Sequence, residues 1–261
     1  MAPELIYPGT QAVMRAISLL KAFSPTKTEM SLTELARQTG LNKPTAYRLL
    51  SALQSQGMVE RNPSTDAYRL GSEMLVLGGL ALRSNDLSKV ARTELEALAH
   101  ASRETATMEI CIGDQVLILD EVLGDHLLGI APSVGTRWPI HATSTGKALL
   151  AQLPAQERLA ALPSPLPAYT EHTLTDPARL ETELEAIHRQ GYAMAIEELE
   201  AGFVAVAAPI FDDQGRAVAA ISLGGPSQRL TPERRQELAA MTLEAARSIS
   251  VRLGLRHSTN C

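Results

Sequence analysis

Between Ser31 and Arg69 the spacing of apolar positions changes twice, and each change predicts a new element. Leu32, Leu35 and Ala36 recur at helical spacing. Ser31 before them and Glu34 three residues on form a capping-box signature, and Gly40 supplies the left-handed stop. Asn42 as cap and Pro44 in the first turn open a second helix. It turns Ala46, Leu49, Leu50 and Leu53 inward, faces Lys43, Thr45, Tyr47 and Arg48 outward, and ends at Gly57. Two alternating runs follow, Val59-Glu60-Arg61 and Tyr68-Arg69-Leu70, around the turn-rich Asn62-Pro63-Ser64-Thr65-Asp66.

Two helices alone would suit an ordinary helical hairpin equally well. The strand pair directly after them occupies the position of a wing, and the whole is the build of a winged helix-turn-helix, whose second helix enters the major groove of DNA. The candidate DNA-binding residues are Ser31 at the helix entry, Lys43, Thr45, Tyr47 and Arg48 on the second helix, and Arg61 and Arg69 on the wing. Arg48 suits a bidentate contact with a guanine edge, while the wing arginines suit phosphates, which position without reading sequence.

Farther along, Met74–Leu82 reads as a connecting helix despite Gly78 and Gly79, and Leu87–Ala101 as the first helix of a second domain. From Thr107 the period becomes two. Thr107–Ile112 and Gln115–Val122 form a hairpin about Gly113-Asp114, with His126–Ile130 as a third strand. Asp176-Pro177 opens a helix to Gln190 that Gly191 stops. Tyr192–Glu197, Phe203–Phe211 and Ala217–Leu223 read as strands, and Thr231-Pro232 starts a last helix to Leu253. Helices on either side of hairpin-linked strands indicate an α+β domain on an antiparallel sheet. The expected division is a winged helix-turn-helix domain with its connecting helix over residues 1–83, then a second domain over 84–261.

Charge sharpens this division. The 261-residue chain is acidic overall, with 24 Lys+Arg against 29 Asp+Glu. Residues 1–83 nevertheless carry 9 basic and 6 acidic side chains, a net of +3, and residues 84–261 carry 15 and 23, a net of −8. The positive excess sits with the helix-turn-helix, as a DNA-facing module needs. It is small, so avidity from two joined heads is expected to supply part of the affinity. The chain has no apolar run of about 18 residues, as a membrane span would need. Met1–Thr10 lacks the regions of a secretory signal, and Cys111 and Cys261 suggest neither a disulfide framework nor a metal site. The expected setting is the cytoplasm, with no membrane, metal or cofactor involved.

Enzyme signatures fail on inspection. Thr145-Gly146-Lys147 is not a phosphate loop, since His141 stands five positions before Gly146 and Ala148 follows the lysine. No G-x-S-x-G elbow is present, and the six histidines lack metal-ligand spacing. A solvated helix face and a turn account for Glu183, Glu185, Glu197, Glu198 and Glu200.

Three separated motifs carry a family resemblance. They are Leu35-Ala36, Gly40-Leu41 and Thr45-Ala46-Tyr47-Arg48-Leu49-Leu50; then Pro139-Ile140-His141-Ala142-Thr143-Ser144-Thr145-Gly146-Lys147-Ala148; and then Glu197-Glu198, Gly202, Ala207-Ala208-Pro209, Asp212, Gly215, Ala219-Ala220-Ile221-Ser222 and Gly225-Pro226. In this order they resemble the IclR family of bacterial transcriptional regulators. The resemblance implies a GAF-like effector domain, a small-molecule effector that is often a carboxylate or aromatic metabolite, and a homodimer or dimer of dimers on double-stranded operator DNA. It implies a repressor of a catabolic operon more readily than an activator. A ligand-independent DNA-binding scaffold is the reading from a different class.

By the same resemblance the effector pocket is floored by the sheet and closed by the loop before Lys147. Ser144 and Thr145 match positions whose backbone N–H groups hold a carboxylate, and Phe203, Ala205, Ser222 and Gly224 match strand positions of the pocket. Trp138, the single tryptophan, falls just before the loop, as a core, lid or pocket-wall residue. Ala195, Ala205 and Gly224 stand where members that bind very small oxo-acids place polar or thiol groups. A roomier, less polar pocket for a larger or aromatic acid is therefore expected. Met108 and Ile110 are expected in the core, and Lys147 to fix the loop through nearby carbonyls.

Overall fold

The computed structural model describes residues 9–24, 26–83, 86–125 and 134–255. The chain divides into two compact units, 1–84 and 85–261.

The first unit begins with α1 (Gln11–Leu20) and β1 (Glu29–Met30), then α2 (Leu32–Gln38) and α3 (Lys43–Ser55). Hairpin strands β2 (Val59–Arg61) and β3 (Tyr68–Leu70) and the helix α4 (Ser72–Arg83) complete it. The capping box forms: the Ser31 hydroxyl accepts from the Glu34 N–H, and the Glu34 carboxylate accepts from the Ser31 N–H at 3.0 Å. Gly40, at φ +67°, turns the chain out of α2 while the Leu41 N–H bonds back to the Ala36 carbonyl at 2.9 Å, the Schellman arrangement. β1 joins the wing as an edge strand, giving an antiparallel sheet in the order β1-β3-β2. Leu19, Leu35, Leu50, Val59 and Tyr68 form the core, so α1, α2, α3 and the wing share one apolar centre.

The second unit opens with α5 (Asp86–Ser102), followed by β4 (Thr105–Ile112) and β5 (Gln115–Val122). The expected strand at His126–Ile130 lies outside the described residues. Then come β6 (Arg137–Pro139), a 3-10 turn at Ile140–Ala142, α6 (Ser144–Leu150), α7 (Ala155–Ala161) and α8 (Pro177–Gln190). The chain continues through β7 (Ala193–Ile196), β8 (Phe203–Phe211) and β9 (Ala217–Pro226) to the long α9 (Pro232–Arg252). Among the described residues the sheet has six strands in the order β6-β5-β4-β9-β8-β7, antiparallel at every pairing.

Strand alternation gives the sheet two buried faces. Met108, Val204, Val206, Ile221 and Leu223 pack with Leu95 of α5 and Leu238 and Ile249 of α9. Val116, Ala193, Ala207 and Ala220 pack from the other face against α6 and against Leu180, Leu184 and Ile187 of α8. Met108 is in the core as expected, with Ile110 partly buried against it.

Candidate functional site

The seven candidate effector residues come from β6, α6, β8 and β9, and all line one cavity of about 320 Å³ in the second unit. Phe203, Ala205, Ser222 and Gly224 rise from its sheet side together with Thr105, Thr107 and Glu109 of β4, and Ser144 and Thr145 face them from the start of α6. Trp138 forms part of the wall. Residues 198–202, which the sequence reading left out of the pocket, line it as well.

Two glycines set the shape. A Cβ on Gly146 would lie 2.0 Å from the Ile140 carbonyl oxygen, so glycine lets α6 press onto the preceding 3-10 turn. A Cβ on Gly224 would lie 2.7 Å from the Phe203 ring, which occupies the space that glycine leaves. α6 is capped by Thr143, whose hydroxyl accepts from the Gly146 N–H at 3.2 Å. The first N–H groups of a helix have no acceptor inside it, and here they belong to Ser144 and Thr145.

The floor is more polar than expected. The Thr107 hydroxyl donates to Glu109 Oε1 at 2.8 Å and lies 2.8 Å from the Ser222 hydroxyl, while the Thr145 hydroxyl donates to Glu109 Oε2 at 2.6 Å. Glu109 is 5 % exposed. Burial pushes its carboxyl above the ordinary range, against the lowering by the Thr145 and Thr107 hydroxyls. The small residues Ala195, Ala205 and Gly224 do make room, but a buried carboxylate with three hydroxyls stands beside that room.

Lys147 also departs from expectation. Its ammonium, fully buried, is held by two carboxylates rather than by carbonyls: Glu198 Oε1 at 2.6 Å and Glu183 Oε1. Two of the five glutamates read as solvated are thus engaged, and Glu198 is itself buried on the cavity wall. Desolvation raises the Glu198 carboxyl even with the ammonium beside it. Thr173 fixes the backbone here by donating to the Glu198 carbonyl at 2.6 Å. At the opposite edge Arg229 makes a two-armed ion pair with Glu104, at 2.6 and 3.1 Å.

In the first unit, Lys43, Tyr47 and Arg48 are exposed on α3, with Thr45 half-buried among them. Neither Lys43 nor Arg48 has an ion-pair partner among the described residues. The wing arginines are exposed but paired, Arg61 with Asp66 and Arg69 with Glu60 at 3.0 Å. Arg61 also lies over the Tyr68 ring, 5.7 Å from its centroid. Ser31 spends its hydroxyl on the capping box.

The family model of the IclR helix-turn-helix domain matches residues 12–63, and that of the bacterial transcriptional regulator IclR C-terminal domain matches 79–251. The transcriptional repressor IclR of Escherichia coli is 34 % identical over 94 % of this chain and 90 % of its own length. An IclR transcriptional regulator from Alicyclobacillus acidocaldarius superimposes with a TM-score of 0.84 at 28 % identity, over 93 % of this chain and 98 % of its own. An IclR homologue from Microbacterium hydrocarbonoxydans, complexed with 4-hydroxybenzoate, gives 0.81 at 28 % identity over the same shares. A helix-turn-helix with a free basic helix face, an effector-sized cavity in a separate unit and two matching domain models have one meaning: the chain belongs to the IclR family of bacterial transcriptional regulators.

Proposed function

We propose that this regulator is a ligand-responsive repressor of a catabolic operon, induced by a small organic acid, aromatic acids included. Residues 1–83 bind operator DNA through α3 and the wing, and residues 84–261 form a GAF-like effector and oligomerisation domain. The observation that carries the reading is the convergence of all seven candidate effector residues on one cavity. Its volume suits a one-ring molecule, within the lower range of ligand sites. The 4-hydroxybenzoate held by the Microbacterium homologue supports the aromatic option.

Exposure on α3 and the wing supports these contact roles. Arg48 reads a guanine edge, Lys43, Thr45 and Tyr47 contact the groove and its phosphates, and Arg61 and Arg69 exchange their glutamate and aspartate partners for phosphates. Ser31 holds the helix entry. In the pocket the ligand carboxylate meets the N–H groups of Ser144 and Thr145, with Trp138, Phe203, Ala205, Ser222 and Gly224 around the ring.

The active form is a homodimer or a dimer of dimers in the cytoplasm. Leu75 and Leu80 of α4 are 79 % and 55 % exposed, and Val76 and Leu77 continue the apolar surface. A surface of this kind calls for a partner, and two-headed binding supplies the avidity that a weakly basic domain lacks. No helix among the described residues is long and apolar enough to cross a membrane.

The test is retention of genomic fragments by the purified protein, with Arg48→Ala beside it. A few promoter fragments sharing an inverted repeat, lost in the variant, are expected. Retention without preferred sequence, or none at low salt, overturns the reading.

A further inference from the structure

With Glu109 ionised, the hydroxyl hydrogens of Thr107, Ser222 and Thr145 all run toward it. Thr107 has a single hydroxyl hydrogen, and it goes to Glu109 Oε1. The 2.8 Å contact between Thr107 and Ser222 is then made by the Ser222 hydrogen. Thr145 gives its hydrogen to Glu109 Oε2. Two hydroxyls that could have greeted a ligand as donors are therefore committed to one carboxylate and the third, on Ser222, to Thr107; what these three present to the cavity is lone pairs.

Glu109 keeps unused acceptor capacity. An ionised carboxylate has about four lone-pair positions, of which the two threonines occupy one on each oxygen. No lysine or arginine pairs with it among the described residues. Across the cavity Glu198 spends Oε1 on Lys147, and its Oε2 is buried away from the open volume. Arg229, the cation on the lining, is committed to Glu104 through both arms. Glu109 thus faces the cavity as a buried carboxylate with unmet acceptor capacity, and buried acceptors left unmet are costly.

We propose that Glu109 is the specificity determinant of the effector site, and that it selects ligands bearing a hydroxyl or amino donor over otherwise identical ligands without one. The proposal rests on the reading of this cavity as the effector site. It adds that the inducing acid is a hydroxy or amino acid in the broad chemical sense, with its donor end on the sheet and its acid end at α6. An unsubstituted acid of the same size fills the space but leaves the Glu109 oxygens bare. A methoxy group at the donor position brings one more acceptor against them.

The experiment uses matched probes and the full chain. Benzoate, 4-methoxybenzoate, 4-hydroxybenzoate and 4-aminobenzoate form one series; butyrate, 4-hydroxybutyrate and 4-aminobutyrate form a second. Trp138, on the cavity wall and the single tryptophan, reports binding by fluorescence. In at least one series the donor-bearing members bind about tenfold or more tightly than the parent, as a hydrogen bond to a charged acceptor warrants. Glu109→Gln, which keeps the shape but removes the charge, brings that ratio to about threefold or less, and Glu109→Leu abolishes it.

The wild-type ratios need no variant to fold, so a misfolded variant leaves the main comparison intact. Equal or tighter binding by the donor-free parents overturns the donor inference while leaving an effector site in place. An undiminished ratio in a folded Glu109→Gln overturns the assignment to Glu109. Failure of every probe in both series overturns the inference together with the effector-site reading. The DNA-binding reading is decided separately by fragment retention.

Discussion

Replacing Lys147 by methionine tests what the buried ammonium does. Methionine fills the same channel without charge. Of the two carboxylates it would leave behind, Glu183 is about one third exposed and regains water. Glu198, 7 % exposed, does not. Breaking a buried ion pair from one side costs about 3–5 kcal/mol, but Glu198 has an escape, because it can take up a proton. In the unfolded chain it ionises near the ordinary 4.5. Holding it neutral in the fold therefore costs about 1.36 kcal/mol per pH unit above that value. This sets a ceiling of about 3.4 kcal/mol at pH 7 and about 0.7 kcal/mol at pH 5. The sign follows from the raised carboxyl: the folded variant binds more protons than the unfolded chain, so its stability falls as pH rises. Urea unfolding followed by Trp138 fluorescence at the two pH values measures both numbers. Lys147→Met/Glu198→Gln removes the stranded charge and should recover most of the pH 7 loss. A loss that is the same at pH 5 and pH 7, or a double variant no better than the single one, refutes the reasoning.

Gly146→Ala drives a methyl group into the Ile140 backbone and should destabilise the second unit by about 1–3 kcal/mol or more, whereas Gly224→Ala meets only a half-exposed ring and should cost less; paired denaturation curves check the order. Leu50→Ala empties a fully buried site between α3 and the wing, with an expected loss of about 2–5 kcal/mol and weaker operator retention, read by the same unfolding experiment and by gel shift. The Glu34 carboxyl is held down to about 2, first by Lys27 and then by the Ser31 N–H and hydroxyl. Its stabilising effect is thus complete above about 4.5 and fades as pH falls through about 2, so acid titrations of wild type and Glu34→Gln should converge at the low end. Arg61→Ala should weaken binding evenly across DNA sequences and lower the salt slope by about one counterion, measured by titration at several salt concentrations.

The first unit was nearly all legible, because its signals are local. Ser31 and Glu34, Gly40, Asn42 and Pro44 each act within one turn of where they stand. α1 escaped explicit prediction: its cap residue Thr10 makes no side-chain cap bond, so nothing in the residues marks the start. In the second unit no local pattern marks the extent of α6 beyond the helix start that the resemblance implies at Ser144 and Thr145. Every one of its residues is buried, and a helix with no exposed face shows no amphipathic period.

Glu109 was missed for a related reason. Thr105, Thr107 and Glu109 form the polar half of a strand alternation, and such a half looks the same whether it faces solvent or an internal cavity. The partners of Lys147 lie 36 and 51 positions away, beyond any local pattern. The pocket residues carried over from the family motifs did converge, because motifs record spatial neighbours that periodicity cannot see.

The two-faced sheet also bears on how new regulators arise. Val204, Val206, Ile221 and Leu223 hold the fold, while their sequence neighbours Phe203, Ala205, Ser222 and Gly224 line the cavity. A mutation at one set lands among packed side chains, and a mutation at the other lands in open volume. After gene duplication, a copy can therefore exchange its inducer by drifting at a few alternate positions while the scaffold stays under purifying selection. Chemical repertoire and architectural integrity are inherited on opposite sides of the same strands.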